Sequence, residues 1–342
     1  MVALFNYRRT IVGSLILISA QGAWAQVVVS DLEAHTFVDH WSEGGSSGNF
    51  NLPYRLFKPT GFAGPAGSLP LVIYLHGAGE RGTDNLSQLS TWSQPLGFVQ
   101  STVQAAFPSF FVAPQGPTIL DPLDPRYISP GAVGRPDPEF WVNNYVTDPD
   151  EYRLSNVPAS RSLLAAFDLV DSLKTQFPSI DPNRVYITGW SSGADAVWYA
   201  MLTRPNLFAA GVPIAGLGDP TAVAAADLEY RGIWAWHGAA DTSVPLSATQ
   251  KMVDAIVGAG GTLGSTNSSL LRQSTVPGAD HYSTMATAFS QANLTTDSTY
   301  SWLFNQSFAT QAGGTSAPEP GTLGLLTLGA LPLLRRRRHT KG

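Results

Sequence analysis

Short apolar segments alternate with segments of helical periodicity along most of this chain, and this alternation constrains its fold more than any other feature. Strands are predicted at residues 52–57, 69–75, 110–113, 184–188, 210–215, 232–236 and 270–276. Helices are predicted at residues 161–177, 194–202, 247–258 and 284–308. Such alternation builds a mainly parallel central sheet with helices on both faces. We therefore predict the α/β class, with functional loops at the carboxyl ends of the strands.

Residues 114–158 interrupt this pattern. The segment is rich in Pro, Asp and aromatic residues, among them Trp141, and shows no clear period. Loops of this length are usually either functional or disordered. Because a disordered linker has no need of large aromatic side chains, we interpret the segment as a cap or pocket wall, with a plain insertion as the alternative.

The first 25 residues have the organisation of a secretory signal peptide. Arg8 and Arg9 precede an apolar run at 11–20, and residues 23–25 read Ala-Trp-Ala. This order predicts cleavage before Gln26. The alternative is a membrane anchor, but the apolar run is about half the ~20 residues that a spanning helix needs.

The C-terminal residues 317–342 contain Pro-Glu-Pro at 318–320, an apolar segment at 323–334 and four arginines at 335–338. Three features in this order resemble a PEP-CTERM sorting signal. The resemblance implies an exosortase that removes the tail and sends the body to the surface of a Gram-negative cell, after transient membrane association. A plain tail anchor facing the periplasm is the alternative. Residues 26–316 then form one exported domain.

Composition excludes several classes of function. The chain has no cysteine, which excludes disulfides, thiolate metal sites and cysteine nucleophiles. Its formal net charge is −5, but without the basic ends the body has 13 basic against 24 acidic residues, a net charge of −11, and no basic stripe, which argues against nucleic acid as a partner. No two histidines stand at ligand spacing with a carboxylate, so we predict no metal site. We also predict no cofactor.

A serine nucleophile is predicted at Ser191. The pattern Gly-x-Ser-x-Gly occurs at 44–48 and at 189–193. The first copy lies among polar turn residues, and we interpret it as a flexible loop. The second follows the predicted strand 184–188 directly and precedes a helix, which is the context of a nucleophile elbow. A plain helix N-cap is the alternative role for Ser191.

A serine hydroxyl needs a neighbouring base to accept its proton. Among the six histidines, His281 lies between the last predicted strand and the last predicted helix. This is the place of the base in the chain order Ser, Asp, His. His76 and His237 instead each end a buried strand and precede a glycine.

The carboxylate that orients this base should follow a strand between Ser191 and His281. Asp241 lies in the turn beyond the strand 232–236 and is our candidate. Asp280 is the rival, but sequence neighbours seldom face each other well enough for a short hydrogen bond. Asp241 could also be an ordinary turn aspartate.

An oxyanion hole is predicted from the loop 76–82, where small residues let N–H groups converge. We propose the N–H groups of Ala78 and Ser192 as donors, with Gly79 as the alternative to Ala78. A phosphate-binding glycine loop would need a following lysine or a longer glycine pattern, and neither is present. Trp190 and Trp141 could line a substrate pocket, and Trp198 is better explained as a core residue.

These motifs together resemble the α/β-hydrolase superfamily, and within it secreted esterases and predicted peptidases. The resemblance rests on residues 75–85, which read Leu-His-Gly-Ala-Gly-Glu-Arg-Gly-Thr-Asp-Asn, and on 184–193, 207–216 and 237–245. It spans about residues 50 to 305. It implies the α/β-hydrolase fold.

The same resemblance implies Ser191 as nucleophile, Asp241 as acid and His281 as base, without a cofactor. Two positions depart from the pattern of such relatives. Ala194 stands where a second glycine often follows the elbow, and Asp280 stands where glycine often precedes the histidine. Neither removes a reacting group, but both leave the substrate open among simple esters, feruloyl esters, polyesters and peptides.

We therefore expect a secreted serine hydrolase that cleaves carboxylic esters through an acyl-enzyme. A serine peptidase of the same fold is the first alternative, although peptidases of this superfamily often carry a propeller domain for which this chain has no room. A non-catalytic surface binding protein on a hydrolase scaffold is the second. The expected partners are an ester substrate, a signal peptidase and an exosortase.

Overall fold

The computed structural model describes residues 26–311, apart from 44–45, 118–140, 143–145, 147, 292–293 and 295–296. The predicted signal peptide, the predicted sorting tail and most of the predicted cap therefore lie outside the described residues. Among the described residues, no helix combines the length and the apolar character that crossing a membrane requires.

Within the described ranges, eight strands form one sheet in the order β1-β2-β4-β3-β5-β6-β7-β8. Their bounds are β1 Glu33–Glu43, β2 Ser46–Phe57, β3 Leu69–Leu75, β4 Phe110–Pro114, β5 Ile180–Trp190, β6 Ala210–Ile214, β7 Gly232–Gly238 and β8 Leu271–Val276. The six strands from β4 to β8 along this order pair in parallel. Strand β2 pairs antiparallel with both β1 and β4.

Helices cover the two faces of the sheet. Their bounds are α1 Ser87–Ser90, α2 Ser101–Ala106, α3 Arg161–Gln176, α4 Ser192–Thr203, α5 Leu246–Gly258, α6 Ser283–Ala288 and α7 Thr299–Leu303. Helices α3, α4 and α5 pack on one face, and the other four pack on the opposite face. The mainly parallel sheet with two helical layers confirms the predicted fold class.

The central strand β3 shows why two cores form. Successive side chains of a strand point to opposite faces. Leu71 and Ile73 lie in the core beneath α3, α4 and α5, whereas Val72 and Tyr74 lie in the core on the other face. A strand buried on both faces is a near-continuous apolar run, which is why its sequence predicts it well.

The sequence prediction missed the N-terminal hairpin. Strand β1 was not predicted, and residues 46–48 of the supposed flexible loop begin β2. Strand β1 lies at the sheet edge, and its buried side includes the charged Asp39, which pairs with Arg161 at 3.2 Å. A charged residue at an inward position disrupts the alternation of apolar and polar residues that indicates a strand.

The last helix was predicted as one element over 284–308, but the described residues of that segment form two separate helices. Helix α6 ends at Ala288, and α7 begins only after Ser298. The Ser298 side chain accepts a hydrogen bond from the Ser301 N–H. That N-cap starts a new helix and so divides the segment.

Candidate active site

The turn between β5 and α4 holds Ser191 in an unusual backbone conformation. Its φ is 56° and its ψ is −125°, and residues other than glycine rarely adopt such a positive φ. The Ser191 N–H donates to the Ile214 carbonyl oxygen at 2.9 Å, which ties the turn to β6. Ser191 therefore stands at a strand-to-helix elbow, as predicted.

Two glycines permit this elbow because the backbone there is packed too closely for a side chain. A Cβ atom at Gly193 would lie 2.0 Å from the Leu75 carbonyl oxygen. A Cβ atom at Gly189 would lie 2.4 Å from the Gly193 carbonyl oxygen. The start of α4 is thus pressed against the end of β3.

The structure brings Ser191, His281 and Asp241 together. His281 Nε2 lies 2.9 Å from Ser191 Oγ, and His281 Nδ1 lies 2.7 Å from Asp241 Oδ2. A carboxylate only accepts hydrogen bonds, so Nδ1 carries the proton and Nε2 is left to accept one from the serine hydroxyl. The arrangement can deprotonate Ser191 and stabilise the imidazolium that results.

Backbone hydrogen bonds between two loops hold Asp241 close to His281. The Ala240 N–H donates to the Ala279 carbonyl oxygen at 2.9 Å, and the Ala239 N–H donates to that of Val276 at 2.9 Å. The loop after β7 and the loop after β8 are therefore joined as one unit. The spacing of the histidine and the aspartate depends on this pairing.

Asp280, the rival carboxylate, faces elsewhere. Its Oδ1 accepts from the Ser283 N–H at 2.8 Å and from the Ser283 hydroxyl at 2.7 Å. It thus caps the first turn of α6 and is exposed to solvent. The carboxylate at the His281 ring is that of Asp241.

The Asp241 carboxylate is buried but ionised. Burial acts to raise its pKa, but hydrogen bonds from His237, His281 and the Val244 N–H outweigh that effect and hold the pKa well below its usual value. Its other oxygen, Oδ1, accepts from the N–H groups of Ser243 and Val244 at 2.9 Å each. A carboxylate with this many donors stays charged at neutral pH.

The predicted oxyanion donors follow the ends of two neighbouring strands, β3 and β5. Ala78 and Gly79 belong to a short turn directly after β3, and Ser192 is the first residue of α4. The Ser191 carbonyl oxygen accepts the N–H groups of Ala194 and Asp195. The N–H of Ser192 lies outside those helix hydrogen bonds, as expected at a helix N-terminus. The role of Ala78, Gly79 and Ser192 as oxyanion donors stays a prediction.

His76 orients the first of these donors. Its Nε2 accepts from the Gly116 N–H at 2.9 Å, so its proton is on Nδ1, which donates to the Gly77 carbonyl oxygen at 2.6 Å. Burial lowers the pKa of His76 to about 4, so the ring is neutral. The trans peptide plane directs the Ala78 N–H opposite to the Gly77 C=O and hence away from His76.

Two tryptophans predicted to bind substrate are buried against the site loops. The Trp190 Nε1–H donates to the His281 carbonyl oxygen at 2.9 Å, and its side chain is 4% exposed. The Trp141 Nε1–H donates to the His76 carbonyl oxygen at 2.9 Å, and its side chain is 2% exposed. Each indole braces a loop of the site, and contact of either with a substrate stays a prediction.

Sequence reasoning missed two aromatic residues beside the site. Trp92 packs 5.9 Å from the Trp190 ring and 5.2 Å from the Tyr282 ring, between ring centroids. Tyr282 is 49% exposed, and its ring lies 5.6 Å from that of His281. The position of Tyr282 directly after the candidate base was the available signal, whereas nothing local in the sequence marks Trp92.

Comparison with known proteins finds similarity to a peptidase family, a depolymerase and an esterase. A family model described as the prolyl oligopeptidase family matches residues 165–234, which include the elbow. Poly(3-hydroxyalkanoate) depolymerase C from Paucimonas lemoignei is 45% identical over 53 residues, 16% of this chain and 13% of the depolymerase. A solved thermostable esterase is 29% identical with a TM-score of 0.61, over 82% of this chain and 64% of the esterase.

This chain therefore spans less than two thirds of each of these two relatives. The sheet order, the helices on both faces and the superposition on the esterase establish the α/β-hydrolase fold. The relatives that this chain resembles are esterases and peptidases of that fold.

A second buried carboxylate lies four residues after Ser191. Asp195 Oδ1 accepts from the Leu217 N–H at 2.6 Å, whereas Oδ2 has no partner among the described residues. Burial raises the pKa of Asp195 to about 8. The folded protein therefore holds a proton that the unfolded chain, with an aspartate pKa of about 3.9, has lost at neutral pH.

We predict that Asp195→Asn stabilises the protein increasingly as the pH rises from about 4 to about 8. Because the folded-state pKa is raised, the wild type loses stability over that window, and an uncharged isostere removes the loss. Urea unfolding at pH 5 and pH 8 measures the effect. Asp254→Asn, an exposed change of the same charge, should keep the wild-type pH dependence. Equal pH dependence in both variants would contradict the prediction.

We also predict that Gly193→Ala lowers the free energy of unfolding by about 1–3 kcal/mol, because its Cβ would collide with the Leu75 carbonyl oxygen. Gly258→Ala is the control, since a Cβ there meets no atom within 4 Å. Alanine at that helical position should be neutral or slightly stabilising. Equal stability of the two variants in urea unfolding would show that the elbow tolerates a side chain.

Proposed function

We propose that this chain is a serine hydrolase that cleaves carboxylic esters through an acyl-enzyme intermediate. The observation that carries the proposal is the continuous hydrogen-bonded path from Ser191 Oγ through His281 to Asp241. Similarity to a solved esterase over 82% of the chain supports the ester as the substrate class.

In the first half-reaction, Ser191 Oγ attacks the ester carbonyl carbon while its proton moves to His281 Nε2. The carbonyl oxygen becomes an oxyanion, which the N–H groups of Ser192 and Ala78, or Gly79, would stabilise. One such donor contributes about 3 kcal/mol to the transition state. The bond to the alcohol oxygen then breaks, and His281 returns the proton to that oxygen.

In the second half-reaction, water takes the place of the alcohol. His281 Nε2 accepts one proton from the water, and the oxygen attacks the acyl carbon. The bond to Ser191 Oγ breaks, the serine recovers its proton from His281, and the carboxylic acid leaves. Asp241 keeps its charge throughout and stabilises the imidazolium in both halves.

Peptide cleavage by the same residues is the second candidate. It is favoured by the match of residues 165–234 to the prolyl oligopeptidase family model. The match covers the elbow and the strands around it, which esterases of this fold also possess. We favour the ester because the esterase superposition includes much more of the chain.

A fluorophosphonate probe should label the wild type at Ser191 and leave Ser191→Ala unlabelled. Ser192→Ala is a matched control, since its Oγ has no partner among the described residues and its backbone N–H remains. With p-nitrophenyl esters, Ser191→Ala should lower kcat by about 10⁴-fold or more. Turnover of peptide anilides instead of esters would favour the peptidase, and a folded but unlabelled wild type would favour a non-catalytic binding protein.

We also propose export of the domain, supported by the sequence features at 1–25 and 317–342. The chain of residues 1–342, produced in a Gram-negative host with an exosortase, should yield a mature protein that begins at Gln26 and lacks the basic tail. Mass spectrometry of both termini measures this. The Ala25→Leu variant should retain residues 1–25, and an uncleaved wild type found in the cytoplasm would contradict export.

A further inference from the structure

A second histidine contacts the carboxylate of the candidate triad. His237 is fully buried near the end of β7, and its Nε2 lies 3.4 Å from Asp241 Oδ2, the oxygen that also accepts from His281. The same Nε2 lies 3.0 Å from the Val244 carbonyl oxygen, and Nδ1 lies 2.8 Å from Thr249 Oγ1. None of the proton transfers described above uses this ring.

The partners of His237 determine its tautomer. A carbonyl oxygen and a carboxylate oxygen both only accept, so Nε2 carries the proton and donates it to the Val244 carbonyl oxygen at 3.0 Å, with Asp241 Oδ2 3.4 Å away. In the neutral ring, Nδ1 then accepts from the Thr249 hydroxyl. Thr249 belongs to α5, so the helix that follows the Asp241 loop sets the direction in which His237 donates.

His237 also closes the loop that presents Asp241. Within that loop, the Val244 N–H donates to Asp241 Oδ1 while the Val244 carbonyl oxygen accepts from His237. Asp241 is thus held at Oδ1 by the loop backbone and at Oδ2 by the His281 ring, with the His237 ring 3.4 Å from Oδ2. Loss of the His237 donor would release the carbonyl end of the loop and leave Oδ2 with His281 alone.

We propose that His237 is a positioning residue that holds Asp241 Oδ2 in line with His281 Nδ1. The expected effect on kcat rests on the proposed function, whereas the expected effect on the position of Asp241 does not. His237 would act through Asp241 and His281 and would not touch the substrate. Its loss should therefore lower kcat with little change in KM.

The test compares His237→Gln with His237→Asn. The glutamine amide nitrogen reaches the position of Nε2 and can still donate toward Val244 and Asp241, whereas the shorter asparagine reaches only the position of Nδ1. Both variants place an uncharged amide in the same buried space. Tyr186→Phe is the control, because it removes one buried hydrogen bond, to the Gln306 carbonyl oxygen, away from the site.

We expect His237→Asn to lower kcat for a p-nitrophenyl ester by about 10- to 100-fold, the scale of a misplacement near 1 Å. His237→Gln should recover most of that loss, and Tyr186→Phe should lose stability without losing kcat. A kcat for His237→Asn within twofold of the control would overturn the proposal. Equal losses in the Gln and Asn variants would overturn it as well, since they would indicate a purely structural role.

A second measurement does not require turnover. The His281 Nδ1 proton, held between nitrogen and carboxylate, should give a far-downfield NMR signal that Asp241→Asn shifts or abolishes. The signal should persist in His237→Gln and in Tyr186→Phe, and broaden or move upfield in His237→Asn. If the wild type hydrolyses no ester but the signal behaves in this way, the proposed function fails while the positioning role stands. An unchanged signal in His237→Asn would refute that role.

Discussion

The close approach of the α4 N-terminus to the end of β3 is the constraint on which the site depends. Because Gly193 has no Cβ, its backbone lies against the Leu75 carbonyl oxygen, and Ser191 is held at a positive φ between β5 and α4. The same contact places the loop after β3 beside the elbow. This one steric condition therefore determines the positions of both Ser191 and the candidate oxyanion donors.

Two buried carboxylates near this elbow show how the number of hydrogen-bond donors decides whether a buried carboxylate is ionised. Asp241 accepts from two backbone N–H groups and contacts two imidazoles, and its pKa is lowered despite burial. Asp195 accepts from one N–H group, and its pKa is raised to about 8. A charge in a dry interior is stable only when enough donors replace the lost water. Only the first can therefore stabilise an imidazolium.

The sequence was sufficient where a local pattern carries the information. The strand before Ser191, the glycines around it and the helix after it together predicted the elbow, and the chain order predicted His281 and Asp241 as its partners. The sequence was insufficient where residues distant along the chain stabilise a strand or helix. Strand β1 was missed because its inward Asp39 is neutralised by Arg161, which lies on α3 far along the chain.

The sequence by itself determined the class of fold, the elbow and the residue types available for the chemistry, because hydrophobic periodicity and glycine placement act over a few residues. The sequence predicted which groups could meet, and the tertiary structure decided which of them do. The structure placed His281 against Asp241 and not Asp280, gave His237 a place at the same carboxylate, and set Trp92 beside Tyr282. Such contacts join loops that follow different strands, and their distances depend on the register and packing of the whole sheet.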